Sequence, residues 1–258
     1  MPSITCNDFE ISWVTNRNTK SDLTLILVAG AGGRHLDWPK ELRHNRLVNT
    51  IAVDLPGHFK LSGDPCITIE QMADVICCLV EDQKLKKVVV AGHSMGGLVA
   101  QEIGLRQFDW LDSLILMGTA AVMPVHPAIL GNIHTDLDKA ADFVTKYAWS
   151  GKGYGLVTGA VRKAIMENRP ETLYADFVAC NVFDVRDRLS EILVPTLVIG
   201  GQRDKFTPLK QSEFMTEHIP NAELHILSAA GHYMAQEQPL PLTRVITSFL
   251  KRRQLDPK

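Results

Sequence analysis

Unbroken apolar runs alternate along this chain with segments of helical spacing. Leu23-Thr24-Leu25-Ile26-Leu27-Val28-Ala29 leads into Gly30-Ala31-Gly32-Gly33, and Lys87-Val88-Val89-Val90-Ala91 leads into Gly92-His93-Ser94-Met95-Gly96. Residues 113–118 and 195–200 have the same character. Runs of this length, rich in Val, Ile and Leu, describe strands buried on both faces of a parallel sheet. Residues 50–54, stopped by Pro56-Gly57, and residues 222–227 read as further strands. Residues 9–14 alternate instead, as an early antiparallel strand does, with Asn7-Asp8 as a turn before them. Between the runs, Met72, Val75, Ile76 and Leu79, and then Leu98, Val99, Ile103 and Leu105, recur at helical spacing. A last helix is predicted from Leu240 to about Arg253. Strands alternating with helices predict an α/β fold, a mainly parallel sheet with helices on both faces.

The rhythm breaks between residues 120 and 188. No strand pattern occurs there, only amphipathic stretches at 138–149, 156–168 and 171–183, separated by Gly151, Gly153 and Pro170. The expected organisation is a core domain of residues 1–119 and 189–258 with a helical cap, 120–188, inserted over the C-terminal edge of the sheet.

Composition narrows the classes. A hydrophobic content of 45% supports a sizeable core, and a net charge of −2 offers no basic surface for nucleic acid or anionic membrane. No apolar run is long enough to cross a bilayer, and the first residues lack the basic flank and apolar core of a signal peptide. Five cysteines, odd in number and without C-x-x-C pairing, argue against a disulfide framework or a zinc site. A cytoplasmic protein in a reducing compartment is the expectation. Neither H-E-x-x-H nor a paired Cys/His pattern suggests a metal. Gly30-Ala31-Gly32 followed by Asp54 imitates half of a dinucleotide fingerprint, but residue 35 is histidine and Asp37-Trp38-Pro39 does not continue a helix. No cofactor is expected.

Gly92-His93-Ser94-Met95-Gly96 has the form G-x-S-x-G, which chance supplies to roughly one chain in twenty of this length. Its position gives it weight. It lies where a buried strand turns abruptly into a helix, a turn that small residues permit and that lifts a serine hydroxyl out of the sheet edge. A serine hydroxyl is a poor nucleophile unless a base takes its proton, and the base needs a third group to orient it. Asp204 and His232 lie just past the runs ending at Ile199 and Leu227. All three residues therefore follow the C-terminal ends of predicted parallel strands, the edge where open α/β sheets place their sites.

These landmarks, with the glycine-rich loop at 30–33, Asp54-Leu55-Pro56-Gly57-His58 and Gly231-His232, resemble the α/β-hydrolase fold superfamily of serine hydrolases with a helical cap, over essentially the whole chain. The resemblance implies that Ser94 attacks a carbonyl carbon, that His232 takes its proton and later activates water, and that Asp204 orients and stabilises the imidazolium. It also implies an oxyanion hole made by the backbone N–H groups of Met95 and Ala31. Two departures stand out. Ala29-Gly30 replaces the usual His-Gly, removing whatever that histidine's side chain would bond, and Phe59 occupies a position where the family carries glycine.

The implied activity is hydrolysis, without a cofactor, of a small or medium carboxylic ester or thioester whose acyl or alkyl part is apolar. Serine at 94 speaks against the family's haloalkane dehalogenases and epoxide hydrolases, which use a carboxylate. The alternatives are carbon–carbon bond hydrolysis on the same residues, and a slow or non-catalytic ligand-binding protein, which the loss of the His-Gly pair favours. Asp184 and Asp187 rival Asp204 but precede the strand and read as solvated charges. His225 and His218 read as structural, while His58 and His93 are candidates for support near the site. Phe143, Tyr147, Trp149 and Tyr154 are candidates for an acyl pocket, with packing of the cap against the sheet as the plainer reading for most of them.

Overall fold

The computed structural model describes residues 1–18, 20–151 and 155–255. Eight strands form one sheet in the order β1-β2-β4-β3-β5-β6-β7-β8. They are β1 (Ser3–Cys6), β2 (Phe9–Asn16), β3 (Leu23–Val28), β4 (Asn49–Asp54), β5 (Lys87–His93), β6 (Leu111–Met117), β7 (Thr196–Gly201) and β8 (Ala222–Leu227). The hairpin β1–β2 and the pairing of β2 with β4 are antiparallel; from β4 to β8 every pairing is parallel. The hairpin turns at Asn7 and Asp8, both at positive φ, a conformation that Asn and Asp tolerate.

Alternation along the central strands divides the core in two. Ile26, Val28, Val88, Val90, Leu114 and Val198 point to one face, covered by α2 (Ile69–Asp82), α3 (Met95–Leu105) and α8 (Leu209–His218). Leu25, Leu27, Val89, Ile115, Leu197 and Ile199 point to the other, covered by α1 (Lys40–Arg43), α9 (Met234–Glu237) and α10 (Pro239–Leu255). Two buried faces are what turn each strand into a continuous apolar run. The family-type expectation of an α/β-hydrolase fold with helices on both faces holds.

Between β6 and β7 lie α4 (Pro127–Leu130), α5 (Leu137–Tyr147), α6 (Gly155–Met166) and α7 (Pro170–Val182). Ile129, Ile133, Ala140, Val144 and Leu173 give this segment a small apolar cluster of its own. A lone antiparallel bridge between Val122 and Asp184 closes its stem.

One expectation fails. Cys6, at the end of β1, is disulfide-bonded to Cys78 on α2, with Cα atoms 6.3 Å apart. An odd cysteine count excludes complete pairing, not a single bond between residues 72 apart in sequence. With this bond present, cysteine usage no longer points to a reducing compartment. Cys66, Cys77 and Cys180 are buried free thiols. Among the described residues no helix is long and apolar enough to cross a membrane.

Candidate active site

Strand β5 ends at His93 and α3 begins at Met95, so Ser94 alone makes the turn, at φ 53° and ψ −117°. A residue with a Cβ is strained there and is kept in place only by its surroundings. Those surroundings are close-packed backbone: a Cβ on Gly92 would collide with the carbonyl of Gly96, and one on Gly96 with the carbonyls of Val28 and Ala29. The Ser94 N–H donates to the Met117 carbonyl at 3.0 Å, tying the turn to β6.

The segment after β8 brings His232 to this turn. Its Nε2 lies 3.0 Å from Ser94 Oγ and its Nδ1 2.9 Å from Asp204 Oδ2. Asp204 is itself held: Oδ1 accepts the N–H groups of Phe206 and Thr207 at 2.8 and 2.9 Å, and Oδ2 accepts the Thr207 hydroxyl at 2.7 Å. Burial works to raise the Asp204 pKa, but the His232 ring and the bonds from Thr207 outweigh it and keep the carboxyl below its ordinary value. A carboxylate at Nδ1 accepts the proton that this nitrogen carries, which leaves Nε2 as the ring nitrogen facing the serine hydroxyl.

The backbone of this segment is fixed from three sides. His232 N–H donates to the Ala148 carbonyl at 2.7 Å, just past α5. Gly231 N–H donates to Glu237 Oε1 at 2.9 Å, and Oε2 of the same buried carboxylate accepts Ser150 N–H at 3.1 Å. His93 Nε2 donates to the His232 carbonyl at 2.9 Å.

Opposite Ser94 stands the loop after β3. A Cβ on Gly30 would be 3.1 Å from Ser94 Cβ, so the loop abuts the serine. Met95 is fully buried at the first position of α3, and Ala31 lines the cavity above. Neither residue's N–H has a hydrogen-bond acceptor among the described residues.

The cavity has a volume of about 590 Å³. Val125, Ile129, Phe143, Val161, Ile165 and Phe177 supply apolar wall from the segment between β6 and β7, while Ser94, His232, Tyr233 and Gln236 supply polar floor. Arg34 lines it too, with its guanidinium 3.4 Å from Glu167. Phe143 and Tyr147 line the cavity, whereas Trp149 is buried against the Tyr233 ring, 5.2 Å between centroids. Tyr154 lies outside the described residues. Asp184 is taken up by Arg186 at the surface, Asp187 is exposed, and neither is drawn to His232. His218 sits exposed on α8 and His225 half-buried on β8. His58 is buried against Asp176 at 2.8 Å. Among the described residues, no group of three or more His, Cys, Asp or Glu is placed to hold a metal ion.

The single-residue turn from β5 into α3, at the C-terminal edge of a mainly parallel sheet, is the strand–turn–helix geometry of the α/β-hydrolase fold. Residues 25–245 match the alpha/beta hydrolase family, and the chain belongs to it. It is 28% identical over 248 residues to the putative carbamate hydrolase RutD of Pseudomonas savastanoi pv. phaseolicola, a match covering 88% of this chain and 93% of that protein. Among solved structures, the enol-lactonase from Burkholderia xenovorans LB400 superposes with a TM-score of 0.90 at 21% identity, covering 97% of this chain and 100% of that one. A thermophilic esterase from Thermogutta terrifontis does so with a TM-score of 0.85 at 26% identity, covering 98% of both chains.

Proposed function

We propose that this protein is a serine hydrolase cleaving small or medium carboxylic esters or thioesters whose acyl or alkyl part is apolar. The observation that carries the reading is the hydrogen-bonded series Ser94–His232–Asp204 opening onto a largely apolar cavity. Ser94 Oγ adds to the carbonyl carbon as His232 Nε2 takes its proton, and Asp204 stabilises the imidazolium without accepting that proton. The carbonyl oxygen, now an oxyanion, accepts from the N–H groups of Met95 and Ala31. Collapse expels the alcohol or thiol, which leaves with the proton held on His232, and an acyl-enzyme remains. Water, deprotonated by His232, then releases the acid and restores the serine. Residues 120–188 act as the cap that shapes the acyl pocket. The curated relative named for a carbamate, and the structural relative named as an esterase, fit attack on an acyl carbon.

A fluorophosphonate probe tests the nucleophile. Wild-type protein should be labelled and Ser94→Ala should not; labelling that survives in the variant overturns the assignment. An ester, thioester and diketone panel then separates acyl transfer from carbon–carbon cleavage, and turnover of the diketones alone would overturn the ester reading.

A further inference from the structure

The loop opposite Ser94 is held by one buried carboxylate from the other side of the cavity. Asp176, in the middle of α7, is fully buried. Its Oδ2 accepts the Gly32 N–H at 2.7 Å and lies 2.8 Å from Nε2 of His58. The second ring nitrogen of His58 is 3.0 Å from the Pro56 carbonyl. Both ring nitrogens therefore face acceptors, an arrangement suited to a doubly protonated imidazolium. Burial opposes that charge, but Asp176, with its hydrogen bond and the one to Pro56, outweighs burial and raises the His58 pKa. The pair is electrically balanced, which is the condition for keeping a carboxylate out of water.

Gly32 is gripped on its other side as well. Its carbonyl accepts Asn168 Nδ2 at 2.9 Å, its φ is +62°, and the Leu173 side chain occupies the space a Cβ would need. The residue after Ala31 is thus fixed from the segment between β6 and β7. Within the loop the only backbone bond among the described residues is Gly33 N–H to the Gly30 carbonyl, at 2.9 Å. Ala29 has no polar side chain with which to brace the loop from the β3 side.

We propose that Asp176 is a positioning residue for the reaction: balanced by His58, it fixes the Gly32 end of the turn and so aims the Ala31 N–H at the oxyanion. This rests on the reading of Ser94 as nucleophile and Ala31 as donor. An oxyanion donor works only within about 2.7–3.1 Å of the developing charge, so a loop free to drift loses transition-state binding while substrate binding is little changed.

All contacts converge on Oδ2, and Oδ1 has no partner among the described residues. An asparagine can therefore keep the acceptor for Gly32, and an alanine cannot. The test measures p-nitrophenyl butyrate turnover by the intact protein, with active sites counted by fluorophosphonate. In Asp176→Ala, kcat per site should fall at least tenfold with KM within threefold of wild type, and Asp176→Asn should recover most of that loss. An alanine variant within twofold of wild-type kcat, or equal losses in both variants, overturns the proposal. Should Asp176→Ala fail to fold, Asp176→Ser carries the test, its shorter side chain withdrawing the acceptor from Gly32 N–H: kcat per site should fall at least threefold with KM within threefold, and an unchanged kcat refutes the proposal. Wild-type protein that the probe does not label removes the nucleophile reading itself, whereas a labelled wild type with an unaffected alanine variant removes only this one.

Discussion

The His93 ring and the His232 backbone, 139 residues apart in sequence, are joined by a hydrogen bond of 2.9 Å from Nε2 to the carbonyl oxygen. The turn at Ser94 thereby holds the segment that carries the proposed base. Burial, reinforced by the neighbouring His232, pushes the His93 pKa down to about 3. The ring is neutral in the folded protein and carries its proton on Nε2.

Stability should follow from that depressed value. Between its ordinary value of 6.5 and about 3, His93 takes up a proton in the unfolded chain but not in the folded one. Its contribution is complete above pH 6.5 and is lost as the pH falls toward 3, at up to about 1.4 kcal/mol per pH unit. Urea midpoints of His93→Gln should therefore change less between pH 6 and 4 than those of wild type. Parallel midpoint curves would show that His93 does not stay neutral on acidification.

Thr207 braces Asp204 directly, and its hydroxyl oxygen also lies 3.5 Å from His232 Nδ1. Its hydroxyl donates to Asp204 Oδ2 at 2.7 Å, on the same oxygen that meets His232 Nδ1. Thr207→Val keeps the shape and the backbone donor but removes this bond, worth about 1.5–3 kcal/mol because its acceptor is a carboxylate. Ester kcat should fall by roughly tenfold or more with KM little changed. A rise in KM at constant kcat would place the effect on binding instead.

The strands were legible in sequence because burial on both faces leaves an unbroken apolar run. Strand β8 matches its expected limits, residues 222–227, and β3 and β7 differ from theirs by a residue at one or both ends. Ser94, Asp204 and His232 were legible as candidates because each follows such a run. What escaped was everything fixed by tertiary contact. Strand β1 is four residues long, and its pattern exists only against β2. Asp176 carries no motif in the sequence; only folding places it 2.7 Å from an amide 144 residues away. Glu237, bridging Gly231 and Ser150, and Thr207 carry no motif either.

The Cys6–Cys78 bond pins β1, at the edge of the sheet, to α2. Closing a loop of this length in the unfolded chain is worth about 2–4 kcal/mol. Cys6→Ser, or wild type treated with dithiothreitol, should lose stability of that order in urea under conditions where the untreated protein retains it. Ester kcat should not move, because the bond lies on the far side of the sheet order from β7 and β8. Equal midpoints with and without reductant, alongside free-thiol counts showing reduction, would show that the bond contributes no stability.

Substrate length should be readable from α6. No residue of this helix is fully buried, and Val157, Val161 and Ile165, one helical face at i, i+4 and i+8, line the cavity. An apolar acyl tail lying against that face gains about 0.8 kcal/mol for each methylene removed from water. Val161→Phe fills space that two or three methylenes would occupy, a loss of about 2 kcal/mol, or roughly thirtyfold in kcat/KM. With p-nitrophenyl esters, octanoate hydrolysis should fall by about that factor while acetate, which does not reach the face, stays within threefold. Uniform losses across the series would place Val161 away from the acyl tail, and the apolar wall contributed by α6 would then belong to the alcohol side or to packing alone.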